Sequence, residues 1–333
     1  MKNGVAVLAE TFRRLWTLEE LRPIRVSVMG QTGVGKTTLV NALFGTKFKE
    51  SATCPETLEP QSYVENMGSY RLEFWDLPGL GEARAADERY SNIYRDKLLS
   101  SHVVVWAVHA DSRSFRFDRT ALEALIGSIP DHDEQVRVMS KIVFTLTKVD
   151  LLMPSPWILK KEGSCGRFTA HGETEKLLAE KERYFQDAFI APFGHLLGAQ
   201  VHRSGNFSVR DDYFDYDERT VYYKGWMTVL QLERLCKEYP DHQDLLNRLY
   251  SNYRVIPCSS RFGFNLDSLM EVIIDKLELQ AAPSFKNSLG KRKRSLSGVS
   301  FSKARGFGNM VVLDGQNYYD LGKMDYSSDE LGE

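Results

Sequence analysis

The sequence predicts an α/β fold: a three-layer, doubly wound, mostly parallel sheet with one antiparallel hairpin strand and an inserted subdomain. Two nearly continuous apolar runs, 103–108 and 141–146, have the length and composition of central parallel strands that are buried on both faces. They alternate with helical patterns, which is typical of this architecture. Two further strand-like runs, 62–66 and 70–76, are joined by only three residues, and so short a connection requires antiparallel pairing.

The remaining elements follow from local periodicity. The run 23–29 alternates apolar and polar residues as a strand does, and 37–44 has the pattern of a helix. The last core strand, 254–258, precedes a helix over 266–279 that Asn265 can cap. Helices are also predicted at 86–99, at about 119–126 and at 173–189.

The composition excludes several classes of protein. The 333 residues are 42% hydrophobic and 26% charged with a formal net charge of −2, which is ordinary for a globular protein and argues against wholesale coating of nucleic acid. The four cysteines show no CxxC spacing, so neither a zinc site nor a disulfide framework is expected. No apolar run reaches the roughly 18 residues that a membrane span needs. We therefore expect a cytoplasmic protein.

The chain divides into three parts. An N-terminal helix is predicted within 1–22, and Pro23 ends it. The main domain spans 23–281 and contains an insertion at about 192–253, whose aromatic residues suit either a subdomain core or a partner surface. Residues 282–333 are rich in serine, glycine and charge, first basic and then acidic, which predicts disorder. The basic block suits either contact with RNA or an anionic membrane, or a solvated tail without such a role.

The motif that organises the chain is a phosphate loop between the first strand and its helix. It fits the pattern of a glycine, four residues and then Gly-Lys-Thr. Glycines allow the backbone N–H groups to turn inward around a polyphosphate, and the helix that follows presents its positive end to the anion. Lys36 brings a point charge to the outer phosphates, and the Thr37 hydroxyl can ligate Mg²⁺. The predicted nucleotide-binding residues of this loop are Gly30, Gln31, Thr32, Gly33, Val34, Gly35, Lys36, Thr37 and Thr38.

Because a phosphate loop alone serves kinases, ATPases and GTPases alike, the motifs that follow it decide between these classes. They are a threonine-bearing loop, Asp76-Leu77-Pro78-Gly79, Thr147-Lys148-Val149-Asp150 and Cys258-Ser259-Ser260. In this order the set resembles the small GTP-binding proteins, and most of all the Era/TrmE-like branch of the translation-factor-related class, which includes many bacterial ribosome-binding GTPases. The resemblance covers about residues 24–281 without the insertion. It implies a P-loop NTPase G domain that takes GTP or GDP with Mg²⁺, and a protein or ribosomal effector.

The resemblance also implies roles for residues at the phosphate end. Asp76 holds the Mg²⁺ shell, and the Gly79 N–H meets the γ-phosphate. Thr57 is the switch threonine that coordinates Mg²⁺ when GTP is bound, with Thr53 as the alternative. The implied metal-binding set is therefore Thr37, Thr57 and Asp76, and the implied catalytic set is Lys36, Thr57 and Gly79.

Recognition of the base centres on Asp150. Its carboxylate can accept hydrogen bonds from both N1–H and the exocyclic amine of guanine, whereas adenine offers neither donor there, and such a site discriminates by about 10⁴-fold or more. The Lys148 stem can lie along the base. Ser259 and Ser260 correspond to the loop whose backbone contacts the guanine carbonyl oxygen. Thr147 departs from the asparagine that more commonly begins this motif.

Two departures from the family pattern bear on hydrolysis. Leu80 stands where Ras-like proteins have the glutamine that orients the attacking water. We therefore expect slow intrinsic hydrolysis, accelerated by a partner, a second protomer or another side chain, with Glu82 and Arg84 as nearby candidates. Gly33 stands where potassium-using relatives have an asparagine, which argues against potassium activation.

The leading prediction is a GTPase that acts as a Mg²⁺-dependent molecular switch. One alternative is a septin- or dynamin-like assembly module in which self-association is the output. Another is a GTP-binding protein with negligible hydrolysis, which the leucine at position 80 favours. An ATP-using kinase is the weakest rival, because Asp150 would then lack a purpose.

Overall fold

The computed structural model describes twelve stretches of the chain. They are 24–44, 60–67, 70–77, 84–112, 115–152, 157–163, 165–202, 205–280, 298–305, 307, 311–314 and 316–320. The helix predicted within 1–22 lies outside the described residues. So do the predicted site residues Thr53, Thr57, Gly79, Leu80 and Glu82.

The first half of the chain alternates strands and helices. In order, its elements are β1 (Ile24–Met29), α1 (Lys36–Phe44), β2 (Gln61–Met67), β3 (Tyr70–Asp76), α2 (Arg84–Ser100), β4 (Val103–His109), α3 (Arg116–Gly127), α4 (His132–Ser140) and β5 (Ile142–Thr147). All the elements predicted between 23 and 147 are present with small shifts at their ends. The added helix α4 is short, and Asp131 caps it by accepting from the Glu134 N–H.

The second half of the chain contains the last strand of the central sheet and further helices and strands before and after it in sequence. In order, they are β6 (Trp157–Glu162), β7 (Cys165–Ala170), α5 (Glu173–Phe185), β8 (Gly198–His202), β9 (Phe214–Tyr216), β10 (Thr220–Lys224), α6 (Val229–Glu238), α7 (Gln243–Ser251), β11 (Ile256–Pro257), α8 (Leu266–Gln280), β12 (Gly298–Ser300), α9 (Phe301–Arg305), β13 (Val311–Asp314) and β14 (Asn317–Asp320). Helix α5 runs on into a π-helical turn at Gln186–Ile190. None of the helices within the described stretches is both long and apolar enough to cross a membrane.

The central sheet has six strands in the order β11-β5-β4-β1-β3-β2, and only β2 is antiparallel to its neighbour. Strand β4 is buried on both faces. Its Val104 and Trp106 pack with α2, α3 and α4, whereas Val103 and Val105 pack with α1 and α8 on the other side. This arrangement confirms the predicted three-layer α/β fold with one antiparallel hairpin strand.

Strand β1 lies between β3 and β4 and pairs in parallel with both. Val28 is in register with Asp76 of β3, and Met29 is in register with Trp106 of β4. The loop that follows β1 therefore begins beside the end of β3. Ligands of such sheets bind outside the carboxyl ends of the strands, and those predicted site residues that the structure describes gather at this edge.

The inserted region contains a three-stranded sheet in the order β8-β10-β9. Helices α6 and α7 follow this sheet along the chain. Only some of the aromatic residues of this region lie in a core: Phe214 and Tyr223 are buried, whereas Tyr213 and Tyr216 are about half exposed. The buried members belong to the same hydrophobic cluster as residues of the central sheet, and the partner-surface interpretation stays a prediction.

The structure differs from the expected disorder beyond residue 282. Residues 298–305 and 311–320 contribute β12, β13 and β14 to a second sheet, of order β12-β7-β6-β13-β14. The hairpin of β6 and β7, to which these strands are added, was not predicted from the sequence. Val299 and Val312 are buried in this sheet, so a few apolar residues order a stretch whose local composition is polar and charged. Residues 281–297, which include the Lys291-Arg292-Lys293-Arg294 block, lie outside the described residues.

Candidate functional site

The loop after β1 has a backbone that only glycine adopts easily at its first position. Gly30 has φ +142°, and a Cβ built there would overlap the carbonyl oxygen of Ala107 on β4. Gly33 and Gly35 also have positive φ, at +78° and +89°. The loop is thereby curled against the sheet before α1 begins. Of the other predicted loop residues, Thr32 is exposed, Val34 is buried, and Thr38 lies in the first turn of α1.

Lys36 is directed into this loop. Its side chain is only 7% exposed, and Nζ donates to the carbonyl oxygens of Gly30 at 3.2 Å and Gln31 at 3.0 Å. An ammonium group held at the inner side of a glycine-rich loop is the arrangement that a bound polyphosphate requires.

Thr37 and Asp76 meet at the same edge of the sheet. The Thr37 hydroxyl donates to Asp76 Oδ2 at 2.6 Å, and Asp76, the last residue of β3, is fully buried. A hydroxyl and a carboxylate in direct contact are hard oxygen donors of the kind that Mg²⁺ prefers. These two of the three predicted metal ligands therefore lie together, and the residues present fit the ion.

Thr147 and Lys148 connect the next loop to the phosphate loop. The Thr147 hydroxyl donates to the carbonyl oxygens of Val34 at 2.7 Å and Val108 at 3.1 Å. Lys148 has a left-handed backbone with φ +57°, and its Nζ donates to the Gly33 carbonyl oxygen at 2.6 Å. The Lys148 stem also runs past Gly35, whose added Cβ would lie 3.4 Å from Lys148 Cε.

Asp150 is oriented by the loop after β11. The buried Ser259 hydroxyl donates to Asp150 Oδ1 at 2.6 Å and accepts from the backbone N–H of Phe262 at 3.0 Å. Backbone hydrogen bonds in both directions between Ser259 and Phe264 close this loop into a tight turn. Ser260 lies within the turn and is half-buried. The structure thus brings together the predicted Asp150, Ser259 and Ser260.

Asp118, near the start of α3, is a residue that the sequence analysis missed. Its carboxylate is 1% exposed and accepts from Gln31 Nε2 of the phosphate loop at 2.5 Å. Among the described residues its other oxygen has no hydrogen-bond partner. Burial raises the pKa of this carboxyl to about 6, although the bond from Gln31 and the charge of Lys36 act in the opposite direction. An acid in the first turn of a helix is common, so no sequence signal distinguished it.

The site therefore combines a curled glycine loop containing a lysine, a hydroxyl–carboxylate pair and an oriented aspartate. Within the described residues, no group of three or more His, Cys, Asp or Glu could hold a metal ion by itself. Residues 25–145 match the family model described as 50S ribosome-binding GTPase. This part of the chain is similar to the GTPase domains that the family model describes.

Curated proteins are similar to part of this chain. An uncharacterized protein of Escherichia coli (strain K12), YkfA, is 32% identical over 133 residues, which cover 39% of this chain and 43% of YkfA. GTPase Era of Geotalea daltonii is 24% identical over 145 residues, which cover 43% of this chain and 46% of Era. The match thus spans less than half the length of these relatives. The predicted resemblance to Era-like GTPases is confirmed.

Solved structures resemble the chain at a lower level. The crystal structure of Toc33 from Arabidopsis thaliana in complex with GDP and Mg²⁺ is 16% identical, with a TM-score of 0.44, and the match covers 82% of this chain and 91% of Toc33.

Proposed function

We propose that this protein binds GTP with Mg²⁺ and hydrolyses it to GDP and phosphate as a molecular switch. The observation that carries the proposal is the connection of the two loops at the sheet edge. Lys148 Nζ lies 2.6 Å from the Gly33 carbonyl oxygen, and Ser259 Oγ lies 2.6 Å from Asp150 Oδ1. A base recognised by Asp150 would therefore sit at a set distance from phosphates held by the glycine loop.

Selection of guanine rests on the orientation of Asp150. The Ser259 hydroxyl accepts from the Phe262 N–H and therefore directs its own hydrogen to the carboxylate. This holds Asp150 ready to accept from the N1–H and amine of guanine. Adenine has no donors at these positions and would leave the carboxylate with only its bond from Ser259, and a site built for hydrogen bonding rejects such an analogue strongly.

Lys36, Thr37 and Asp76 would act at the phosphate end. Lys36 would exchange the loop carbonyls for phosphate oxygens and stabilise the negative charge that spreads over the transferred group. Thr37 and Asp76 would hold Mg²⁺, the former directly and the latter through its shell. When bound, the ion neutralises charge on the outer phosphates. The roles proposed for Thr57 and Gly79 rest on the sequence motifs.

We propose slow intrinsic hydrolysis, because Leu80 has no polar group with which to orient water. Acceleration would come from a partner, a second protomer or another side chain such as Glu82 or Arg84. The same leucine favours the alternative of a GTP-binding protein with negligible hydrolysis. The description of the matching family, 50S ribosome-binding GTPase, supports a ribosomal effector.

Nucleotide selectivity tests the guanine site directly. Titration calorimetry with Mg²⁺ would compare GTP, GDP and ATP on the wild type and on Asp150→Asn. We expect GTP and GDP to bind while ATP is excluded, and the variant to prefer xanthine nucleotides, because an amide can donate to the xanthine oxygen that replaces the amine. Equal binding of ATP and GTP by the wild type would contradict the guanine assignment.

Hydrolysis is tested separately by phosphate release from GTP, with and without ribosomes and at two protein concentrations. Lys36→Ala serves as the inactive reference. If the wild type binds GTP but never exceeds this variant, the protein is a GTP-binding module rather than a switch. Light scattering on GTP addition distinguishes the assembly alternative, because only a polymerising protein would scatter more after GTP is added, with an increase per molecule that is larger at the higher protein concentration.

A further inference from the structure

Five aromatic side chains form a cluster beside the loop that orients Asp150. They come from three separate parts of the chain: the hairpin of β6 and β7, the loop after β11, and the C-terminal segment, by which we mean the described residues 298–305, 307, 311–314 and 316–320. The aromatic cluster consists of Trp157, Phe168, Phe262, Phe264 and Phe307.

Phe262 lies at the centre of this cluster. Phe168 stacks on it with ring centroids 4.2 Å apart and an interplanar angle of 18°, and Trp157 meets it edge-on at 5.6 Å. Phe307 contacts it from the C-terminal segment at 5.2 Å and reaches Phe168 at 6.0 Å. Trp157, Phe168 and Phe262 are all buried. Such ring pairs add about 0.5–1.5 kcal/mol each beyond the area that they bury.

The position of Phe262 bears directly on Asp150. The Phe262 backbone N–H donates to Ser259 Oγ, and that hydroxyl donates to the Asp150 carboxylate. A shift of Phe262 would remove the donor that fixes the Ser259 hydroxyl. The hydroxyl could then rotate away and leave the carboxylate without its orientation.

Pairing within the second sheet positions Phe307. Strand β12 pairs with β7 through Val299 and Gly166, and β13 pairs with β6 through Val312 and Leu159. The side chain of Arg261, which neighbours Phe262, lies over the Phe307 ring with Cζ 4.8 Å from its centroid. The C-terminal segment therefore contacts two consecutive residues of the loop that carries Ser259.

We propose that the C-terminal segment is part of the guanine site, with Phe307 as a positioning residue that acts through Phe262 and Ser259 on Asp150. This inference rests on the proposed function, because it concerns the recognition of guanine. A segment far along the chain would then control the affinity and selectivity of the site for guanine. Undocking of the segment would loosen guanine recognition and accelerate GDP release.

The test compares GDP with IDP, whose base lacks the exocyclic amine but keeps N1–H. The ratio of their affinities reports on the amine contact of Asp150, whereas a general loosening of the fold or of the phosphate loop would weaken both nucleotides equally. Calorimetry with Mg²⁺ would measure both on the full-length wild type and on Phe307→Ala. Phe207→Ala is the matched control, because Phe207 lies in a similar ring cluster with Phe214, Tyr216 and His242 in the inserted subdomain.

We expect Phe307→Ala to weaken GDP binding by about three- to tenfold, which is the affinity equivalent of one ring contact. The ratio of GDP affinity to IDP affinity should fall as well. Phe207→Ala should leave both affinities unchanged. Phe307→Leu keeps most of the volume and should recover most of the GDP affinity. Phe307→Val removes the ring and more of the volume, should lower the ratio of GDP to IDP affinity, and replaces the alanine variant if that protein does not fold. A folded Phe307→Ala or Phe307→Val variant with the wild-type ratio of GDP to IDP affinity overturns the proposal while leaving the guanine site intact. A wild type that binds no guanine nucleotide overturns both the proposal and the function on which it rests.

Discussion

Thr147 provides a sharp test of how the base loop is connected to the phosphate loop. Substitution by valine keeps the shape of the side chain and removes only the hydroxyl, which donates to the Val34 carbonyl oxygen at 2.7 Å. Thr147 is 3% exposed, so the acceptor loses a buried partner at a cost of about 1–3 kcal/mol. We therefore expect Thr147→Val to lower the melting temperature, by about 2–4 °C per kcal/mol.

The chain offers a matched control on the same strand. Thr145 is fully buried, and its hydroxyl donates to the Ile256 carbonyl oxygen at 2.7 Å, but this acceptor lies on the edge strand rather than in the phosphate loop. Thr145→Val should therefore be destabilised to a similar extent. Only Thr147→Val should also weaken GDP binding, by about three- to tenfold, because only that bond positions the phosphate loop.

Thermal unfolding and calorimetry with GDP and Mg²⁺ separate the two effects. If Thr147→Val melts lower but binds GDP as the wild type does, the hydroxyl is a structural bond alone and the connection between loops does not depend on it. If both variants lose affinity equally, general destabilisation explains the loss.

Two other predictions follow from the structure of the site. Burial holds the pKa of Asp118 at about 6, above its ordinary 3.8, so the folded state binds more protons than the unfolded state between these values and stability falls as pH rises through this window. Asp118→Asn should remove that pH dependence and melt at a higher temperature than the wild type at pH 7. The gain in the free energy of unfolding is at most about 3 kcal/mol. Melting temperatures that change in parallel for the two proteins from pH 4 to 8 would contradict this prediction. Gly30→Ala would drive a Cβ into the Ala107 carbonyl oxygen and should abolish GDP binding, whereas Gly33→Ala meets no atom within 4 Å and should cost only the strain of its positive φ, about 1 kcal/mol. Equal effects of the two glycine substitutions on GDP affinity would show that the close approach to Ala107 is not needed.

The sequence by itself determined the elements whose cause is local. The strand, glycine loop and helix around Lys36 were predicted because hydrophobic periodicity and glycine placement act within a few residues. The buried strands β4 and β5 were predicted for the same reason, since their apolar runs are continuous. The order of the motifs along the chain carried the family resemblance, and that resemblance assigned Asp76, Asp150 and Ser259 to one nucleotide site.

Only the tertiary structure decided which side chains meet. Nothing near Thr147 in the sequence indicates its bond to Val34, and nothing near Asp118 indicates that it turns toward Gln31. The C-terminal segment was expected to be disordered because its neighbours are charged and polar, yet Val299 and Val312 are buried against a hairpin more than a hundred residues earlier in the chain. Local composition determines what a segment can do alone, whereas burial against a distant partner contributes a free energy that no short stretch of sequence contains.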